Sequence, residues 1–133
     1  MQGMNTAQHS TKVYIVDDSI VIRERLVEMI EAMPNVEVVG QAESAQAAID
    51  GIHDTNPDCV VLDMQLLDSN GLTVLREVHP TLPQVMFVVL TNHASTQYCR
   101  LCMEAGASYF FDKTSDTDRI RDVIASVMPQ TTH

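Results

Sequence analysis

Three carboxylates, one hydroxyl and one ammonium stand at the ends of four apolar runs in this chain. Val13 to Val16 leads into Asp17 and Asp18, Cys59 to Leu62 into Asp63, Val85 to Leu90 into Thr91, and Tyr109 to Phe111 runs through Asp112 into Lys113. Two like charges about 4 Å apart repel by roughly 1 kcal/mol in water and about 4 kcal/mol at a surface-like effective dielectric, so three carboxylates in one place attract a cation. An all-oxygen set with open positions suits Mg²⁺, with Mn²⁺ as the alternative. Such ions keep several waters and share their coordination with a substrate phosphate. One carboxylate can then attack a phosphoryl group to give an acyl phosphate, while a hydroxyl and a cation stabilise the spread negative charge. Thr91 and Lys113 are of the right types. A single Asp at a loop tip reads as a solvated surface charge. Five chemically matched residues, each at a strand's carboxyl end, do not.

The elements that must position them alternate along the chain. Lys12 to Val16 is short and β-branched; Ser19 then offers an N-cap, and Ile22, Leu26, Ile30 and Met33 recur at helical spacing with Arg23, Glu24, Glu28 and Glu31 on the other face. After Pro34-Asn35, Val36 to Gln41 predicts a second strand and Ser44 to Asp54 a short helix with Ile49 and Ile52 inward, closed by Asn56-Pro57. Cys59 to Leu62 and Val85 to Leu90 are apolar without alternation, which suits strands covered on both faces. A third helix follows Asn70-Gly71 and carries Leu72, Leu75 and Val78; a fourth spans Ser95 to Ala105 and closes at Gly106; Tyr109 to Asp112 is a fifth strand. The last helix runs from Asp116 to Val127 with Ile120, Val123, Ile124 and Val127 inward. Five strand-then-helix units imply a doubly wound parallel α/β sheet with right-handed crossovers, and its ligand crevice lies outside the carboxyl ends of the strands. If the strand order is 2-1-3-4-5, the strands bearing Asp17-Asp18 and Asp63 are neighbours at the topological switch point.

Composition sets the outer limits. With 133 residues, 45% of them apolar and 20% charged, the chain fits one domain, read as residues 12–128 between polar tails at 1–11 and 129–133. A net charge of −10 and a pI near 4.6 exclude a basic stripe for nucleic acid or for an anionic membrane. No apolar stretch approaches the roughly 20 residues of a membrane span, and residues 1–11 lack the apolar core of a secretory signal. Together with three cysteines that form no disulfide framework, this predicts a cytoplasmic protein.

With these residues in place, the chain resembles the receiver domain of two-component response regulators. The resemblance rests on Val-Asp17-Asp18-Ser, on Val-Val-Leu-Asp63 with Gly71 eight residues later, on Thr91 closing the fourth strand, and on Gly106-Ala107-Ser108 leading to Phe110 and Lys113. It covers residues 12–127 and is closest in type to the stand-alone, chemotaxis-regulator-like receivers. It implies a flavodoxin-like (βα)₅ fold of order 2-1-3-4-5 and a phosphoacceptor that is not an enzyme acting on separate substrates. Asp63 would take a phosphoryl group from a histidine kinase or phosphotransfer protein in a phosphorelay. Mg²⁺ would be held by Asp18, Asp63 and the backbone carbonyl of Gln65, with Asp17 acting through metal-bound water. Lys113 would contact the phosphoryl group, Thr91 would turn toward it, and Phe110 would rotate inward. Partner affinity would change on the face of the last two helices and fifth strand. Gln65 and His93 match positions that tune dephosphorylation.

Three residues depart from that family. Leu67 replaces the usual proline four residues after the acceptor and leaves the loop without a fixed φ. Thr114 replaces a cis proline, so the Lys113-Thr114 bond is expected to be trans. Asn92 replaces a small residue and is expected to narrow access to Asp63. Because nothing follows the fifth helix, the expected output is a protein contact or onward phosphotransfer. Two alternatives are a Mg²⁺-dependent phosphohydrolase, against which Gln65 stands where the second catalytic Asp belongs, and a degenerate receiver serving only as a binding module. A flavodoxin-like flavin carrier is disfavoured because Asp17-Asp18 would repel its phosphate. Cys99-Arg-Leu-Cys102 lies mid-helix without the second ligand pair of a zinc site. His53 and His79 read as surface residues, Met29, Met33, Met86 and Met103 as core filling, and Asp68 as a loop charge.

Overall fold

The computed structural model describes residues 10–92, 96–113 and 117–127; residues 1–9 and 128–133, His93 and Thr114 lie outside them. In chain order the elements are β1 (Thr11–Val16), α1 (Ile20–Glu31), β2 (Val36–Ala42), α2 (Ala45–Thr55), β3 (Cys59–Asp63), α3 (Gly71–Val78), β4 (Met86–Thr91), α4 (Thr96–Glu104), β5 (Tyr109–Asp112) and α5 (Thr117–Ser126). All strands pair in parallel in the order β2-β1-β3-β4-β5, as expected.

Helices cover both faces of the sheet, so its side chains divide into two cores. Val60, Leu62, Phe87 and Val89 pack with Ala48, Ile52, Leu75 and Cys102 on the face of α2, α3 and α4. Val61, Val88 and Leu90 pack with Leu26, Ile30, Ile120 and Ile124 on the face of α1 and α5. All five residues of β3 are buried, which is why its sequence shows no alternation.

Helices α1, α2 and α3 begin on side-chain caps. Ser19, Ser44 and Asn70 accept from the amides of Ile22, Ala47 and Thr73 at 3.3, 3.2 and 3.1 Å. Asn56, at φ 46°, closes α2 by donating its amide to the Ile52 carbonyl.

Four sequence expectations need correction. Thr11 belongs to β1 rather than to a tail: its amide donates to Asn35 O at 2.9 Å and its side chain is buried. Met103 is 43% exposed, because it falls on the outer face of α4, whereas Met29, Met33 and Met86 do pack against the α1/α5 core. His79 is half-buried, and its ring lies against Gly106, which at φ 118° leaves no room for a Cβ. Asp68 is not a free loop charge, because its carboxylate accepts from the amides of Ala45 and Gln46 at the start of α2.

Two close approaches shape the strand ends and the α2 side. The Tyr14 ring fills a slot left by Gly40 on β2 and Gly51 on α2, where any Cβ would collide with it. At the start of α3, a Cβ on Gly71 would sit 2.6 Å from the backbone carbonyl oxygen of Asp63. That carbonyl is part of the sheet and cannot swing away as a side chain can. Gly71→Ala is therefore expected to destabilise the protein by about 1–3 kcal/mol. The helix-propensity gain of at most about 1 kcal/mol does not offset this. A urea midpoint equal to wild type would remove the argument.

Candidate functional site

The strand register builds the site. Val16 of β1 aligns with Leu62 of β3, so the residues that follow, Asp17 and Asp63, emerge side by side at the sheet's carboxyl edge. Thr91 ends β4 beyond them, and the Lys113 amide donates to the Thr91 carbonyl at 2.8 Å, which carries the lysine over the same edge. Asp17, Asp18 and Asp63 each offer an oxygen within 4.8 Å of the others. Lys113 Nζ lies 2.8 Å from Asp17 Oδ2 and 3.0 Å from Asp63 Oδ2. The second oxygens are held by backbone: Ser19 N–H donates to Asp17 Oδ1 at 2.8 Å and Gln65 N–H to Asp63 Oδ1 at 3.2 Å. Asp17 and Asp63 are 1% and 3% exposed, while Asp18 faces solvent.

Three carboxylates against one ammonium leave an excess of negative charge in a poorly hydrated place. Burial first, and then the neighbouring Asp17, push the Asp63 carboxyl up to about 6 despite the opposing pull of Lys113. Burial alone would lower the Lys113 ammonium, but its hydrogen bond to Asp17 and the charge of Asp63 outweigh that and hold it above its ordinary value. The donor set is all oxygen and carries surplus charge, so it fits a hard divalent cation such as Mg²⁺ or Mn²⁺. A cleft of about 560 Å³ opens beside it, lined among others by Asp18, Gln65, Asn70, Thr91 and Tyr98.

Asp17, Asp18, Asp63, Thr91 and Lys113 thus meet as the sequence predicts, and Gln65 flanks them. Phe110 packs from β5 against the α2–α4 core instead of lining the cleft. The side chain of Asn92 is exposed. Cys102 belongs to the core, with its Sγ 3.4 Å from Met64 Sδ, and burial pushes its thiol up to about 11, so it is a poor nucleophile.

One contributor is missed by the sequence reading. Arg23, assigned to the outer face of α1, donates from Nη1 to the Asp17 carbonyl at 2.5 Å and lies 3.9 Å from a Glu43 oxygen. Its place one turn into the helix that follows the acidic pair is the only signal that could have pointed to it.

The family profile described as the response regulator receiver domain matches residues 13–125. The DNA-binding transcriptional activator DevR/DosR of Mycobacterium tuberculosis is 35% identical over 102 residues, covering 77% of this chain and 47% of that protein. A protein-glutamate methylesterase/protein-glutamine glutaminase of Carboxydothermus hydrogenoformans is 34% identical over 111 residues, covering 82% of this chain and 32% of its own length. This chain therefore spans about half or less of those curated relatives. The crystal structure of the response regulator domain of Thermotoga maritima CheB superposes with a TM-score of 0.82 at 20% identity, covering 92% of this chain and 99% of that one, a likeness of fold.

The raised Asp63 carboxyl has a measurable consequence. A carboxyl held at about 6 in the fold against 3.8 when free favours folding in acid and loses that contribution as the pH rises through about 6. In the presence of chelator, wild type is expected to lose on the order of 2 kcal/mol relative to Asp63→Asn between roughly pH 4 and pH 7.5. Urea melts across that range check it, and parallel curves for the two proteins would refute it.

Proposed function

Because the chain belongs to the response regulator receiver domain family, we propose that Asp63 is its phosphoacceptor, taking a phosphoryl group from a histidine kinase or histidine phosphotransfer protein. The observation that carries this reading is the setting of Asp63: buried at the end of the central strand, held by one amide and one ammonium, with two more carboxylates in reach. An Asp63 oxygen attacks phosphorus, the P–N bond of the donor breaks, and the imidazole leaves and takes up a proton. The product is an acyl phosphate, and attack by water later returns the carboxylate and inorganic phosphate.

Each neighbour has a role that its position supports. Asp18 is exposed at the cleft and would hold Mg²⁺ or Mn²⁺ together with Asp63 and the backbone carbonyl of Gln65, with Asp17 behind them, already engaged by Lys113 and Ser19. When bound, the cation neutralises the charge on the phosphoryl oxygens. Lys113, 3.0 Å from the acceptor oxygen, can transfer its contact to the phosphoryl group. Thr91 offers its hydroxyl from the end of β4, and Phe110 is the core side chain that would repack when Thr91 turns. That repacking would alter the face formed by α4, β5 and α5 and so change affinity for a downstream protein. Gln65 at the cleft, and His93, which lies outside the described residues, would set access of the attacking water.

No described helix is long and apolar enough to cross a membrane, and together with three free cysteines this supports a place in the cytoplasm.

Incubation with Mg²⁺ and acetyl phosphate is expected to add one phosphoryl group, seen by intact mass, that is absent from Asp63→Asn and from protein treated with chelator. An equal adduct on Asp63→Asn would move the acceptor elsewhere, and turnover of many phosphate esters would favour a hydrolase. Gln65→Ala is expected to change the lifetime of the adduct by several-fold with little effect on stability, because Gln65 is an exposed loop residue. An unchanged decay rate would remove Gln65 from this role.

A further inference from the structure

The loop between β3 and α3 carries Gln65 at the cleft, and its shape and its placement are fixed separately. Its shape comes from within: Gln65 bridges to Asn70, Leu66 N–H donates to Ser69 O at 3.2 Å, and Gly71 N–H donates to Met64 O at 2.9 Å. Its placement comes from outside, through three hydrogen bonds to Glu43 in the turn after β2 and to the first two residues of α2. Leu67 N–H donates to Glu43 O at 3.3 Å, and the Asp68 carboxylate accepts from Ala45 N–H at 2.6 Å and from Gln46 N–H at 3.3 Å.

Ala45, Gln46 and Ala47 carry the first three amides of α2, which no helical carbonyl can satisfy. Ser44 takes the third at 3.2 Å, and Asp68 takes the first two from across the loop. Charge-assisted bonds to a helix N-terminus are the stronger kind, and the hydrogen bond from Ala45 lowers the Asp68 carboxyl below its ordinary value. The same turn is tied to the other wall of the site, because Asp17 N–H donates to Ala42 O at 3.0 Å and Arg23 joins the Asp17 carbonyl to Glu43. Leu67 has a direct part here, since a proline in its place would have no N–H to give Glu43.

We propose that Asp68 is a positioning residue for the site: by seating its carboxylate on the N-terminal amides of α2, it holds the Gln65 segment in register with Asp17 and Asp18. This rests on the phosphoacceptor reading of Asp63. It assigns to a hydrogen-bonded clamp the loop placement that a proline at position 67 would otherwise restrict.

Asp68→Ala and Ser44→Ala separate positioning from simple capping, because each removes a cap from α2 but only the first releases the loop. Asp68 is exposed and Ser44 half-buried outside both cores, so both variants are expected to fold. The readouts are Mn²⁺ affinity, followed by the electron paramagnetic resonance of the free ion, and amide exchange at residues 65–70 in chelator. Asp68→Ala is expected to weaken Mn²⁺ binding by about tenfold and to speed that exchange, while Ser44→Ala leaves both near wild type. Asp68→Asn, which keeps an acceptor for the Ala45 amide, is expected to recover most of the affinity. Wild-type affinity in Asp68→Ala, or equal weakening in Ser44→Ala, overturns the proposal. Wild type that neither binds Mn²⁺ nor acquires an Asp63 adduct overturns the underlying reading as well.

Discussion

Bringing three carboxylates to within 4.8 Å of one another is the arrangement on which the rest of the molecule depends. Apolar burial gains nothing from it, and mutual repulsion opposes it. The sheet brings it about: β1 and β3 are locked as neighbours by ladder bonds, and their last buried residues deliver Asp17 and Asp63 side by side to the carboxyl edge. Lys113 arrives from β5, at the far edge from β2, and touches both buried carboxylates at once. One ammonium cannot neutralise three acids, and the remaining charge is what makes the place receptive to a divalent cation.

Much of this was legible in the sequence because strand ends are. An apolar run that stops at an acid, a hydroxyl or a lysine marks both an element boundary and a residue aimed at the crevice, and the parallel fold gathers such residues without further information. The contacts that the sequence reading missed are of another kind. Arg23 sits on the polar side of α1 and looks solvated, yet it reaches a backbone carbonyl of the neighbouring loop. Asp58 is buried just before β3, where its carboxylate accepts from Lys12 N–H at 2.8 Å and pins the start of one strand to the start of the other. Asp68 reads as an exposed loop acid until α2 is placed beside it. Each pairs a side chain with backbone from a distant part of the chain, and side-chain spacing carries no record of that. Met103 was misread for the opposite reason: a methionine in an apolar-looking helix need not lie on its inner face.

β3 is also joined to the helical layer beneath the cleft. Met64, next after Asp63, places its sulfur 3.4 Å from Cys102 of α4, and Phe110 packs in the same core. Polarisable sulfur contacts of this sort tolerate small shifts better than branched aliphatic packing does. The seam between β3 and α4 is thus soft, whereas the seam between β3 and the start of α3, with Gly71 pressed on a backbone carbonyl, is rigid.

Tyr14, Gly40 and Gly51 constrain how this sequence can change over time. While the tyrosine is present, neither glycine can gain a side chain without meeting its ring, although the two lie on different elements. Shortening position 14 removes the nearest obstacle at both glycines and leaves a void beside them. The three positions form one heritable unit with a fixed order of replacement: the tyrosine must go first. Lineages that kept it would be locked into both glycines, however much the rest of the α2 face drifted.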